Sequence, residues 1–318
     1  MNKIVFKIKK TDEPLSASAL KLWKSIKKHW LLLLMFLPPL IYFIIFKYGP
    51  MYGVLIAFKD YKFSKGVWGS PWVGFKYFKT FLTDQYFYKL LRNTLAISIY
   101  NIIAGFPAPI ILALLLNELR NQKYKKIVQT VSYLPHFLST VIVCGIVISF
   151  CASDGFIANI LSSFGYERLN YLMYPKYFRH IYVWSGVWQS VGWDSIIYLA
   201  ALSGVDPQLY EAAKMDGAGR FRQAIHVTLP GIANTIIIMI IMRIGSLISV
   251  GFEKIIVLYN EAVYETADVI STYVYRRGLI GADYSYATAV GIFESVIGII
   301  LITIANSIAR KYSETSLF

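Results

Sequence analysis

Charged residues are scarce in this 318-residue sequence. Asp, Glu, Lys and Arg make up 16% of it, whereas hydrophobic residues make up 56%. An average soluble domain carries about 25% charged residues, so this chain has too few charges to cover the surface of a soluble globule. A disordered chain is excluded as well, because disorder requires low hydrophobicity. The composition therefore indicates an integral membrane protein.

Residues that build redox, metal or catalytic centres are also scarce. The two cysteines, Cys144 and Cys151, fall on one predicted helix, where their Cα atoms stand about 10 Å apart, too far for a disulfide. The four histidines lack metal-ligand spacing. We find neither a nucleophile–base pair nor a G-x-x-x-x-G-K-[ST] phosphate loop. We therefore expect no catalytic residue, no metal and no cofactor bound by this chain.

Long apolar runs, in contrast, are abundant. A helix needs about 20 residues to cross about 30 Å of hydrocarbon, and six stretches meet this length. This pattern predicts an all-α membrane domain over residues 30–310, and an even number of spans puts both termini on one side. The predicted spans are 30–48, 93–117, 127–152, 181–202, 232–250 and 284–309.

The distribution of basic residues predicts the orientation of these spans. The net charge is +14, and eight Lys lie in the predicted N-terminal tail, residues 1–29. The short loop 117–126 and the start of the C-terminal tail, residues 311–318, are basic as well. Loop 48–89 also carries seven Lys, counting Lys47 at its border, but long loops weigh less in the positive-inside rule. We therefore expect both termini in the cytoplasm, and we attribute the basic excess to orientation and anionic lipid rather than to nucleic acid.

The loop between the fourth and fifth spans, residues 203–230, has the pattern of two short helices. Asp206-Pro207 is a favourable helix start, with an N-cap carboxylate and a proline at the first helical position. The pattern predicts a helix over 208–215, a break at 216–219 and a second helix over 220–227. Such a compact protrusion from a membrane domain is typical of a docking element.

The same loop carries a spaced motif: EAA at 211–213, Gly217 after three residues, and VTLP at 227–230 after nine more. It resembles the EAA signature of ABC importer permeases, EAA-x3-G-x9-I-x-LP, with Val227 at the Ile position. Residues 48–53 (YGPMYG) and 70–74 (SPWVG) resemble the subgroup of these permeases that serves oligo- and polysaccharide uptake. With the six spans, the resemblance covers nearly the whole chain.

The resemblance implies the six-helix MetI-like fold of type I ABC importers, in the plasma membrane of a bacterium. It implies a second, related permease, two ATPase subunits that use ATP and Mg, an extracellular solute-binding protein and a carbohydrate substrate. The EAA loop then acts as the coupling helix that contacts the ATPase. The implied coupling residues are Glu211, Ala212, Ala213, Asp216, Gly217, Leu229 and Pro230.

Polar residues within the last three spans are candidates for the substrate path. Ionisable groups in a membrane are costly and usually face the bundle interior, although an ion pair would explain them equally well. Trp side chains beside amide and carboxylate groups suit a sugar ring, but Trp also anchors helices at the membrane interface, and Ser also packs helices. The candidates are Trp188, Gln189, Trp193, Asp194, Arg243, Ser246 and Glu294. Ser249 continues the three-residue spacing of Arg243 and Ser246, and these three residues are expected to form a polar stripe.

Two other functions are compatible with part of the sequence. An ion-coupled secondary transporter would also use intramembrane Asp194, Arg243 and Glu294, but it leaves the EAA spacing unexplained. An integral-membrane enzyme would need a catalytic cluster near the interface, which the sequence lacks. Neighbouring genes for a binding protein and a second permease would favour the importer.

Overall fold

Helices form nearly all the regular structure in the computed structural model, which describes Trp23 and residues 26–312. Within this part of the chain the only β pairing is one isolated bridge, Lys59 with Trp72. The chain divides after Leu55 into a small N-terminal unit and a large unit that begins at Ile56. The predicted tails, residues 1–29 and 311–318, lie almost entirely outside the described residues.

The α-helices are numbered here in chain order, and short 3-10 and π turns connect several of them. They are α1 (Trp30–Phe43), α2 (Gly66–Gly69), α3 (Lys76–Leu82), α4 (Phe87–Gly105), α5 (Pro107–Glu118), α6 (Gln122–Tyr133), α7 (Thr140–Cys151), α8 (Phe156–Ser163), α9 (Pro175–Leu202), α10 (Pro207–Met215), α11 (Arg220–Gln223), α12 (Leu229–Gly231), α13 (Ala233–Gly245), α14 (Phe252–Leu258), α15 (Tyr264–Ala267), α16 (Ile270–Val274) and α17 (Tyr284–Tyr312).

Four helical stretches of the described chain are long and apolar enough to cross a membrane: Trp30–Phe58, Phe87–Glu118, Thr140–Ser163 and Tyr284–Lys311. A fifth is a bent pair in which α13 follows residues 220–231 at an angle of 65°. The predicted fourth span is the continuous 28-residue helix α9, which is less apolar than the others because Trp, Ser, Gln and Asp residues interrupt it. Helix therefore covers most of each predicted span.

The third span differs from the prediction of one helix over 127–152. The side chain of Asn121 caps the separate helix α6, and a 3-10 turn at Leu134–Phe137 then interrupts the chain before α7 begins at Thr140. The physical reason is Pro135, which has no N–H to continue the helix. Helix α6 has no buried residue, and the apolar stretch that follows the break runs from Thr140 to Ser163.

Helix α9 is central to the large unit. Its first half packs in a core that includes Ile97 of α4 and Val143 of α7, and its second half packs in a core with Ile110 of α5. A glycine permits one close approach: a Cβ on Gly192 would lie 2.1 Å from the carbonyl oxygen of Ser132 on α6. Small residues at such crossings let membrane helices gain packing energy. This packing places α9 beside both α4 and α5.

Candidate functional site

The first candidate site is the EAA loop, residues 203–230. Its first helix, α10, begins as predicted: the Asp206 carboxylate accepts a hydrogen bond of 2.9 Å from the N–H of Gln208, and Pro207 occupies the first helical position. This cap satisfies one of the backbone donors that a helix start leaves free. The local sequence thus determines where the loop leaves the bundle.

The turn after α10 depends on Gly217. Its φ of +74° lies in the left-handed region, where a side chain costs energy. In this conformation the N–H of Ala218 donates to the carbonyl oxygen of Ala213 at 2.9 Å, which closes the helix end. The Gln223 side-chain amide donates to the Ala218 carbonyl oxygen and ties the next helix to the turn. The predicted break at 216–219 is therefore a defined turn.

Few side chains attach the EAA loop to the bundle. The Tyr210 hydroxyl donates to the hydroxyl of buried Thr228 at 3.2 Å. The Arg220 guanidinium lies 3.6 Å from the Glu118 carboxylate at the end of α5, and both side chains are well exposed. Leu229 packs with the core around Ile232. Leu229 thus belongs to the base of the loop rather than to its outer surface.

The outer surface of the loop carries the motif. Glu211, Ala212, Asp216, Gly217 and Pro230 are exposed, whereas Ala213 is half-buried. The loop also presents large apolar side chains to its surroundings, and such side chains are suited to contact with a partner. The sequence prediction missed them, although their apolar character beside the motif was a usable signal. They are Leu209, Met215 (89% exposed), Phe221 (81% exposed) and Ile225.

The second candidate site, called the polar cavity, is a space of about 260 Å³ among α4, α9, α13 and the segment that follows α13. Arg243 reaches it from α13, and its Nη2 also lies 3.0 Å from Oδ2 of Asp194 on α9. Of the two interpretations left open, pairing is therefore observed for Asp194 and Arg243, yet Arg243 still lines a cavity. The polar residues around it are Ser98, Asn101, Tyr182, Arg243, Ser246 and Ser249.

Three of these lining residues were not predicted. Ser98 and Asn101 are polar interruptions in the charge-free interval of the second span, and this was a usable signal. Tyr182 gave none, because a tyrosine near a span end reads as an interface anchor. Tertiary packing of α4 against α9 decides that all three face one space.

Glu294 of α17 faces a neighbouring space of about 460 Å³, called the Glu294 cavity. Its Oε1 is buried and accepts no hydrogen bond from the described residues. Ser246 and Ser249 line both this space and the polar cavity, so they form a shared wall. Ser246 and Ser249, which are three residues apart, thus both face the cavities, as the sequence suggested.

The predicted aromatic residues of α9 do not join Arg243. Trp188 lines an apolar pocket with Phe150 and Ile181. Trp193 stacks on His136, with ring centroids 4.5 Å apart, and Gln189 donates to the Leu138 carbonyl oxygen at 3.4 Å. Gln189 and Trp193 therefore support the break between α6 and α7. Neighbouring positions on a helix point to different partners, so these residues do not share a cavity with Arg243 in this chain. Their place in the substrate path remains a prediction.

A dense polar network binds residues 59–84 to residues 265–286, and we call these two segments the anchored end. At its centre, the Asp84 carboxylate accepts from the Tyr86 N–H, the Tyr273 and Tyr286 hydroxyls and Arg277 Nη1, the last at 3.0 Å. Partial burial opposes ionisation of this carboxyl. The hydrogen bonds and the Arg277 charge outweigh that effect and lower the pKa of Asp84.

A second ion pair lies in the same region. Asp268, which is 5% exposed, accepts two hydrogen bonds from the Arg276 guanidinium, and these raise the pKa of Arg276. The Asn93 amide of α4 donates to the Asp268 carbonyl oxygen and accepts from Arg179. Nearby, burial and a 2.7 Å hydrogen bond to Asp60 raise the pKa of Tyr77 to about 12.

An apolar helix bundle with polar cavities and a protruding two-helix loop defines the class of multi-pass membrane permeases. The chain belongs to the family of binding-protein-dependent transport system inner membrane components, whose model matches residues 105–314. This membership confirms the predicted all-α MetI-like permease fold, and the chain is a transport subunit.

Similar proteins agree with this assignment. Protein LplB of Bacillus subtilis is 48% identical over 98% of both chains. The polygalacturonan/rhamnogalacturonan transport system permease protein YteP of the same organism is 47% identical over 90% of both. A chain in the crystal structure of a bacterial alginate ABC transporter, in complex with an alginate pentasaccharide-bound periplasmic protein, superposes with a TM-score of 0.85. It shares 45% identity, and the match covers 93% of this chain and all of that one.

Proposed function

We propose that this chain is a permease subunit of an ATP-driven importer for a carbohydrate, and that the substrate is an acidic oligosaccharide. The support comes from the similar proteins: one carries polygalacturonan and rhamnogalacturonan in its name, and another belongs to an alginate transporter. Polygalacturonan and alginate are polymers of sugar acids, and rhamnogalacturonan contains them. In this proposal a second, related permease completes the path, and a binding protein delivers the substrate.

The EAA loop is the proposed contact to two ATPase subunits. The observation that carries this proposal is the exposed two-helix loop, which presents Glu211 and Asp216 as acceptors and Met215 and Phe221 as apolar anchors. Few side chains bind the loop to its own bundle, so a partner that moves it transmits motion through α12 into α13. ATP and Mg then serve the partner, and this chain itself makes and breaks no covalent bond.

The distribution of basic residues supports an orientation with both termini in the cytoplasm, and the family of inner membrane components supports a plasma-membrane location. In that orientation the EAA loop lies on the cytoplasmic side and the anchored end lies outside the cell. The proposed substrate path then runs past Arg243, Ser246 and Glu294, which line the two cavities. It also passes Asp194, which pairs with Arg243. Alternating access opens this path to one side at a time.

Replacing Glu211 by Ala in the reconstituted transporter tests the coupling. We expect substrate-stimulated ATPase activity and uptake to fall at least about tenfold, because a charged hydrogen bond at an interface contributes about 2 kcal/mol. Glu167, an exposed carboxylate elsewhere in the chain, provides the matched Glu167→Ala control, which should retain both activities. Normal uptake by Glu211→Ala would contradict the coupling role. Uptake without any ATPase subunit would instead support an ion-coupled transporter.

A further inference from the structure

Lys254 of α14 is a buried cation for which the described residues supply no counter-ion. Lys254 is 8% exposed, and no carboxylate of the described residues lies within 4.0 Å of its Nζ. A buried charge is costly unless it is paired. The ion pair between Asp194 and Arg243, in contrast, already neutralises the cation that borders the polar cavity.

The position of Lys254 relates it to the polar cavity. Its Nζ donates to the Tyr182 carbonyl oxygen at 3.1 Å and lies 5.2 Å from the centre of the Tyr182 ring. Tyr182 and Gly251, which immediately precedes α14, both line the polar cavity. The ammonium therefore lies one residue layer behind the cavity wall.

The lining of the polar cavity includes one cation, Arg243, and no carboxylate. Asp194 pairs with Arg243 from behind. Glu294 faces the neighbouring cavity beyond the shared serine wall, and Lys254 adds a positive charge on the Tyr182 side. Water screens a buried charge far less than an exposed one, so its field extends into the adjacent space. The polar cavity is thus suited to an anion that also offers hydroxyl groups.

We infer that Lys254 is a specificity-determining residue that favours a sugar carboxylate over a neutral sugar in the polar cavity. It acts through its field across Tyr182 rather than by contact, while Arg243 and the serines meet the substrate directly. This inference rests on the proposed function, and it concerns which carbohydrates pass rather than whether ATP drives them.

The test compares two probes of equal length in the complete reconstituted transporter: an oligogalacturonate and the neutral oligomer made by reducing its carboxylates. Lys254→Gln keeps a donor for the Tyr182 carbonyl oxygen but removes the charge. We expect it to lower uptake of the acidic probe about fivefold relative to the neutral one. Lys254→Arg should restore the ratio. Lys176→Gln, which removes an exposed lysine, should leave the ratio unchanged.

The outcomes separate the inference from the function it rests on. An unchanged acidic-to-neutral ratio in Lys254→Gln overturns the inference and leaves the importer in place. Wild-type transporter that imports neither probe, or only the neutral one, overturns the acidic-substrate proposal and the inference with it. If Lys254→Gln fails to assemble, Lys254→Met and Lys254→Arg are compared instead. An equal acidic-to-neutral uptake ratio in those two variants also overturns the inference.

Discussion

The anchored end and the EAA loop use polar side chains in opposite ways. In the anchored end, Asp84 and Asp268 are nearly buried and bonded to arginines of their own chain. In the EAA loop, Glu211 and Asp216 are exposed. Arg220 pairs with Glu118, and the side chains of both partners are exposed as well. Buried, fully bonded networks rigidify a fold, whereas exposed groups remain available to a partner.

The two regions lie at opposite ends of one helical stretch. Asp84 lies just before α4, and Glu118 ends α5, so the continuous stretch Phe87–Glu118 extends roughly 45 Å between them. The helices between these two regions pack through apolar cores and through close approaches at glycine, such as Gly192. We propose that the anchored end is a fixed point and that the EAA loop is a movable contact during alternating access.

Asp84→Asn should produce the largest effect on stability. It removes the charge that Arg277 and two tyrosine hydroxyls bind, at a cost of about 2 kcal/mol, and the midpoint of thermal unfolding in detergent should fall. Arg220→Gln, which breaks the exposed pair, should change that midpoint little, because such pairs contribute about 0–1 kcal/mol. Equal midpoints in the two variants would contradict the contrast between the regions.

The effect of Asp84 should also depend on pH in a defined direction. A carboxyl with a lowered folded pKa stabilises the protein above its unfolded value of 3.8, and this stabilisation is lost as the pH falls through the folded pKa. The difference in unfolding midpoint between wild type and Asp84→Asn should therefore be full at neutral pH and shrink below pH 3.8. A difference independent of pH would assign the effect to packing instead.

Gly217→Ala should produce a smaller effect that is confined to the EAA loop. The left-handed conformation of Gly217 costs a side chain about 1 kcal/mol, so the turn after α10 is strained and uptake falls. Gly219→Ala is the matched control, because Gly219 has an ordinary φ of −67° and, like Gly217, open space at the Cβ position. Equal uptake in both variants would show that the turn geometry is not required for coupling.

Local signals explain which parts of the structure the sequence predicts. The start of α10 at Asp206-Pro207 and the turn at Gly217 depend on residues within one loop, and both are observed. Pro135 indicates a kink in the third span, but the observed result, two separate helices, also depends on how α6 and α7 pack. Proline alone allows either outcome.

Contacts between distant segments explain the rest. Asp84 and Arg277 are 193 positions apart, and no spacing rule connects them. The pairing of Arg243 with Asp194 rather than Glu294 depends on the packing of α13 beside α9. Trp193 faces His136 from another helix, a contact that the helical periodicity of α9 cannot indicate. The sequence therefore identified polar residues in the spans but not their grouping.

Hydrogen exchange of the permease pair, with and without its ATPase subunits, tests the central contrast most directly. The account predicts that backbone amides of residues 207–231 gain protection when the ATPase subunits bind, while those of residues 265–286 exchange at the same rate in both states. Unchanged exchange across residues 207–231, with added protection in residues 265–286, would contradict it.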